Sequence, residues 1–204
     1  MAKIKFTKGE LKRQRDGLKR FERYLPILQL KKQQMQLEIQ RVHEKLKFKI
    51  QEMDDLENKI SDWANLLEES VDYMAGWIKP KNISVSSFNI AGVDIPIFEK
   101  IEFEEAEYDL FSTPLWVDTA IIKLRKFVTF LEEKKILDEQ LRILSEELRI
   151  TNQRVNLFEK VKIPECAENI RRIRIYLGDQ QAGAVGRSKM AKNKIERMSL
   201  AMIA

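Results

Sequence analysis

Residues 11–28 read LKRQRDGLKRFERYLPIL. Leu11, Leu18 and Leu25 recur every seven residues, and Phe21 and Leu28 follow three residues after Leu18 and Leu25. Both series run on far beyond this stretch. Ile39, Leu46, Met53, Ile60, Leu67 and Met74 continue the first, with Lys32 as its break. Met35, Val42, Leu56, Trp63 and Trp77 continue the second, with Gln14, Lys49 and Ser70 as exceptions. An apolar period of 3.5 held over about ten heptads marks one long helix whose stripe needs a partner helix. From Lys8 to Ile78 such a helix would measure roughly 105 Å. The pattern predicts a rod.

Composition agrees with a solvated helix pair. Charged residues make up 34% of the 204, and Gly and Pro are sparse at 7 and 5. One Cys (Cys166) and one His (His43) rule out a disulfide framework or a Cys/His zinc site within the chain. No basic, apolar and cleavage-site succession opens the chain, so no signal peptide is expected. No apolar run is long enough to span a bilayer. The net charge of +5 conceals a polarity. Residues 1–50 carry a net +10, residues 51–110 a net −11 and residues 111–204 a net +6. A chain folded back at its middle would bring two basic ends together and leave an acidic tip, so that each end meets a different partner.

Thr7-Lys-Gly-Glu10 forms a capping box at the helix start. Pro26 is expected to bend the helix without ending it, and Lys79-Pro80 to stop it. Ile83, Val85, Phe88 and Ile90, then Val93, Ile95 and Ile97, alternate around an Asn89-Ile-Ala-Gly92 turn. They predict a short β-hairpin with Pro96 on an edge strand, followed by an acidic connector from Glu99 to Asp109. Phe88, Phe98, Phe103, Tyr108, Phe111 and Trp116 are placed to pack on the first helix where Ala64, Leu66, Val71, Tyr73 and Ile78 widen its seam. Thr113-Pro114 caps a second helix. Val117, Ile121, Leu124, Val128 and Leu131, then Leu137, Leu141, Leu144, Leu148, Val155 and Phe158, line it, with a kink expected at Pro164. The fold class is mainly α: a long antiparallel two-helix coiled coil with a short β-hairpin insert at the turn. Its parts are a helix over 1–78, the hairpin and connector over 79–113, and a second long helix over 114–204 whose tip Gly183 and Gly186 loosen. A turn centred on the insert sets residue 60 opposite 132 and residue 35 opposite 157.

Ile136, Ile143, Ile150 and Leu157 recur every seven residues off the seam of the second helix, which reads as a docking strip for a third element. Thr151, Asn152, Gln153, Arg154 and Asn156 form a polar group facing Gln36–Arg41, and Arg154 is expected to pair with Glu38. Such polar groups specify register in coiled coils. No phosphate-binding loop, dinucleotide fingerprint or nucleophile elbow is present. His43 reads as a surface residue, and the acidic neighbours of Cys166 disfavour a thiolate. No catalytic, cofactor or metal site is expected. The basic ends carry no interleaved aromatic residues, which argues against nucleic-acid binding.

Residues 151–164, TNQRVNLFEKVKIP, and 168–177, ENIRRIRIYL, resemble the C-terminal helix of the D subunit of the rotary V/A-type ATPases. That family's pattern runs T-x-x-R-V-N-A-L-E and then I-P. Leu157 and Phe158 stand where it has Ala and Leu. The short basic lead, the leucine heptads and Lys31-Lys32 are similar too. The resemblance implies a central, non-catalytic rotor shaft that couples ATP hydrolysis or synthesis to hydrogen-ion or other ion transport. Its implied partners are the catalytic A and B subunits, the F subunit and a collar above the membrane ring. Its implied location is cytoplasmic and peripheral to the membrane, without insertion. Ile136, Ile143, Ile150 and Leu157 then become the expected dock for the F subunit. Arg13, Arg15, Lys19, Arg20, Arg187, Lys189, Lys192 and Lys194 become the expected contacts of the hexamer. The contrasting reading is a coiled-coil scaffold with no rotary role.

Overall fold

Heptad leucines and the Thr7 cap give α1, Lys8–Ser61. The computed structural model describes residues 4–61, 76–106, 114 and 116–203, with side chains as far as Met198. Thr7 Oγ1 accepts from the Glu10 N–H at 3.2 Å. The return half of the box is absent: the Thr7 N–H donates to Lys5 O, and the Glu10 carboxylate accepts from Gln14. α1 runs unbroken through Pro26. Residues 76–78 are helical, and the chain then enters β1 (Pro80–Ile90) and β2 (Val93–Phe103). α2 (Trp116–Leu157), a π-helical turn (Phe158–Lys162) and α3 (Ile163–Ile203) complete the order. The expectations placed on Ala64, Leu66, Ser70, Val71, Tyr73, Met74, Trp63, Leu67, Tyr108, Phe111 and Thr113 lie outside the described residues.

The chain divides into two compact units. One comprises Met1–Leu30 with Asn152–Ala204, the other Lys31–Thr151. In the terminal unit α1 packs antiparallel to the C-terminal helix. Phe6 meets Tyr176, and Phe21 meets Phe158, each with ring centroids 5.0 Å apart. Gly17 brings α1 close to the buried Cys166. Pro164 has no N–H, and its ring would press on the carbonyl four residues back. The preceding π-turn absorbs this, with the Ile163 N–H reaching five residues back to Phe158 O. The expected kink is thus a wide turn. α3 continues helically through Gly183 and Gly186.

In the central unit β1 and β2 form an antiparallel hairpin, with Ile90 opposite Val93 across a two-residue turn. Ala91 and Gly92 have φ of 52° and 80°, as a type I′ turn needs. Asn89 holds it: its Oδ1 accepts from the Gly92 N–H at 3.0 Å, and its Nδ2 donates to Asp94 at 2.7 Å. The hairpin folds back along the helices. Val93 and Ile95 are buried with Met35 and Val42 of α1 and Leu144 of α2. At the hairpin's base, Arg125 donates to Trp77 O at 3.0 Å and to Glu104 O at 2.5 Å, with its guanidinium over the Phe103 ring. Trp77, Ile78 and Trp116 pack there on Val117, Ala120 and Ile121.

The register differs from the centred turn. Lys49 faces Glu133, not Ile143, and in the terminal unit Gln14 faces Asn169, not Gly178. Near the base the offset reverses, because Trp77 faces Arg125 and not Leu115. Centring the turn averaged two different registers.

Ala91 is strained, since a Cβ in the left-handed region costs ~1 kcal/mol. Ala91→Asn should strengthen the turn by about 1 kcal/mol, slowing amide exchange of Ser86, Phe88 and Ile90 by about fivefold. Unchanged exchange would mean that the hairpin's opening is set elsewhere.

Candidate partner-binding surface

Two of the heptad exceptions, Gln14 and Lys49, are paired. Gln14 contacts Asn169 at 3.5 Å and Glu10 at 2.8 Å. Lys49 lies 2.9 Å from Glu133 of α2 and 3.1 Å from Glu52, with its ammonium 4.7 Å from the Phe130 ring centroid. The ion-pair distances are short, yet the Oε2 atoms of Glu52 and Glu133 are buried without a well-aligned hydrogen bond. We read the contact as a charge pair of poor angle. Burial pulls the Lys49 ammonium down, but its contacts with Glu133 and Glu52 outweigh this and hold it above the usual lysine value.

The row Ile136, Ile143, Ile150 and Leu157 is not one uniform strip. Ile143 packs on the core beneath the hairpin. Ile136 lines a groove of about 380 Å³ with Phe48, Phe88, Ile97 and Phe98. Ile150 is half-buried, and in the terminal unit Leu157 is 44% exposed. A third element does cover part of this row, and it is the chain's own hairpin. In the polar group, Thr151 is buried, Asn152 half-buried, and Gln153, Arg154 and Asn156 face solvent. Glu38 pairs with Arg41 at 3.1 Å, and the register of the central unit sets it opposite Leu144.

In the terminal unit Arg13, Arg15, Lys19, Arg20, Arg187, Lys189, Lys192 and Lys194 are all exposed. Arg13 lies 4.0 Å from Glu10, and Lys192 3.8 Å from Glu196. Beyond Leu177 every side chain described, from Gly178 to Met198, is exposed. Val185, Met190, Ile195 and Met198 are among them. Nearer the helix pair, Glu168 binds both Arg171 and Arg172 at 2.8 Å, and these hydrogen bonds hold its carboxyl at about 2. The Cys166 thiol is pushed up by burial, with Glu165 adding to the effect. No helix among the described residues is long and apolar enough to cross a membrane.

Sequence reasoning missed the exposed Leu37 and Phe48 that rim the groove. The available signal was that Leu37 and Phe48 fall outside both heptad series.

A helix pair with Gln14 and Lys49 each matched on the facing helix, a folded-back hairpin and an exposed basic helical end define a coiled-coil protein with a β-hairpin insert. A family profile described as that of the ATP synthase D subunit matches residues 10–193. The chain is 50% identical to the V-type ATP synthase D subunit of Borreliella burgdorferi over 96% of both chains. It is 36% identical to the protein of the same name from Chlamydia caviae, over 96% of this chain and 95% of the relative. The chain belongs to the D-subunit family of the V-type ATP synthases.

Two measurements check the charge arrangement. Lys49→Met strands two carboxylates in a half-buried seam and should destabilise the central unit by about 1–2 kcal/mol. Adding Glu133→Gln should recover part of the loss, and a purely additive pair in denaturation would reject the coupling. Because Glu168's folded pKa is depressed, its contribution is present above the ordinary glutamate value and is lost as pH falls toward 2. A carbon-detected titration of Glu168 should therefore have its midpoint near pH 2. A midpoint near 4.5 would mean the arginine pairs do not persist in solution.

Proposed function

We propose that this chain is the central rotor shaft of a V/A-type ATPase or ATP synthase. It transmits torque between the catalytic A/B hexamer and the membrane ring and hydrolyses no ATP itself. The observation that carries this reading is the α3 stretch beyond Leu177. An isolated helix is marginal in water, yet here it presents Val185, Met190, Ile195 and Met198 beside Arg187, Lys189, Lys192 and Lys194, all exposed. Such a helix is completed by an enclosing partner. The hexamer supplies that enclosure, with Arg13, Arg15, Lys19 and Arg20 as further contacts. Exposed pairs are each worth only about 0–1 kcal/mol, so a basic surface can pass successive acidic loops without locking to one.

The F subunit docks on the part of the outer row that the hairpin leaves open, at Ile150 and Leu157. The collar meets the acidic middle of the chain. The complex places the chain at the membrane's cytoplasmic face without inserting it. A helix pair joined along a seam suits this work because it resists both bending and twisting.

Co-expression with the A, B and F subunits should give one copy of this chain per hexamer and an altered rate of ATP hydrolysis. A chain ended after Gln180 should fold but leave that rate as it is without the shaft. Leu157→Asp should weaken F binding at unchanged helicity. Failure of the full chain to join the hexamer would sink the reading in favour of a scaffold without a rotary role.

A further inference from the structure

The two edges of the hairpin differ. β2 carries Asp94, Glu99, Lys100 and Glu102, with Pro96 in its interior. Gln140 Nε2 donates to the Pro96 carbonyl. Charge, proline and a covering side chain each close a sheet edge. β1 has one charge, Lys81, and after its first residue neither proline nor glycine.

The parity of the ladder tells which groups face outward. Ile90 and Val93 flank a two-residue turn, so they form a hydrogen-bonded pair. Alternation makes Asn89↔Asp94, Ser87↔Pro96 and Val85↔Phe98 the non-hydrogen-bonded pairs. Pro96 demands the same parity, having no N–H to give. The N–H and C=O groups of Val85, Ser87 and Asn89 therefore point away from β2. Among the described residues none of these groups enters a backbone hydrogen bond outside the ladder.

A groove of mixed polar and apolar lining runs along this same edge. It occupies about 400 Å³ between α1 and β1, lined by Gln34, Leu37, Glu38, Arg41 and residues Phe88 to Ala91. It shares Glu38, Phe88 and Ile90 with the groove that holds Phe48. Leu37, Phe48 and Phe88 are 57%, 60% and 54% exposed. A strand added about 4.8 Å from β1 would lie over this groove and lower alternate side chains into it.

We infer that β1 is a docking edge for one extended segment of another protein of the complex. The segment is held by the backbone groups of Val85, Ser87 and Asn89, with apolar side chains seated on Leu37, Phe48 and Phe88. This rests on the reading of the chain as one component of a larger assembly. A second copy of the chain does not fit the edge. Each copy's α1 lies beside its own open edge, so pairing β1 with β1 would drive two helices, each about 10 Å wide, into one groove.

Amide exchange resolved to single residues, on the full chain alone and in the complex co-expressed with the A, B, F and collar subunits, tests this. Val85, Ser87 and Asn89 should exchange fast in the free chain and at least tenfold more slowly in the complex. Ser86, Phe88 and Ile90 should be slow in both. Ser87→Pro, which removes an outward N–H and leaves the ladder intact, should abolish the protection of Val85 and Asn89, whereas Ser87→Ala should retain it. If Ser87→Pro does not fold, the wild-type comparison decides alone. Fast exchange at the three residues within an intact complex overturns the inference and leaves the rotor reading standing. Protection in the free chain that rises with its concentration overturns it in favour of self-pairing. Failure of the chain to enter the complex overturns both.

Discussion

A helix in a two-helix seam buries one narrow stripe, and everything outside that stripe must face water or find a third layer. In the central unit the third layer is the hairpin. Val93 and Ile95 reach between Met35 and Val42 on one helix and Leu144 on the other, and all five are buried. A lone hairpin is marginal in water, and so is a short apolar row on a charged helix. Each becomes stable by covering the other. The outer row of α2 is thus explained first by intramolecular packing, and only the part beyond the hairpin is left for a partner.

The helices were legible because their signal is redundant: a single break such as Lys32 does not erase ten heptads. The exceptions were legible too, although not their partners. A lysine at a seam position demands a carboxylate, but which one depends on register. Register was the quantity the sequence held least firmly. The helices are offset one way at Lys49 and Glu133 and the other way at Trp77 and Arg125, so no single rule for opposite residues applies along the chain.

The hairpin shows a different limit. Its strands, turn and Pro96 edge followed from alternation and turn chemistry. Where it would lie did not, because alternation shows that one face is buried and is silent on what buries it. The fold-back depends on Arg125 at the base and on Gln140 reaching Pro96. Both side chains fall on the helical surface and look like ordinary solvated residues in the sequence. Pro164 was read correctly as a local obstacle, but the π-turn that meets it is a backbone response that no side-chain pattern announces.

The arrangement of charge separates two mechanical tasks. In α2 and α3, Glu139–Arg142, Glu146–Arg149 and Glu168–Arg171 are pairs within one helix, all exposed. They support the helix that carries them and tie it to nothing else. Lys49–Glu133 crosses between helices and is largely withdrawn from water. Sliding one helix past the other would leave two carboxylates facing an apolar seam, so a slip of even one turn is opposed by desolvation and not by contact loss alone. Hydrophobic seams tolerate such slips, because one leucine replaces another. A charge in the seam beside the hairpin core therefore fixes the register where the third layer depends on it.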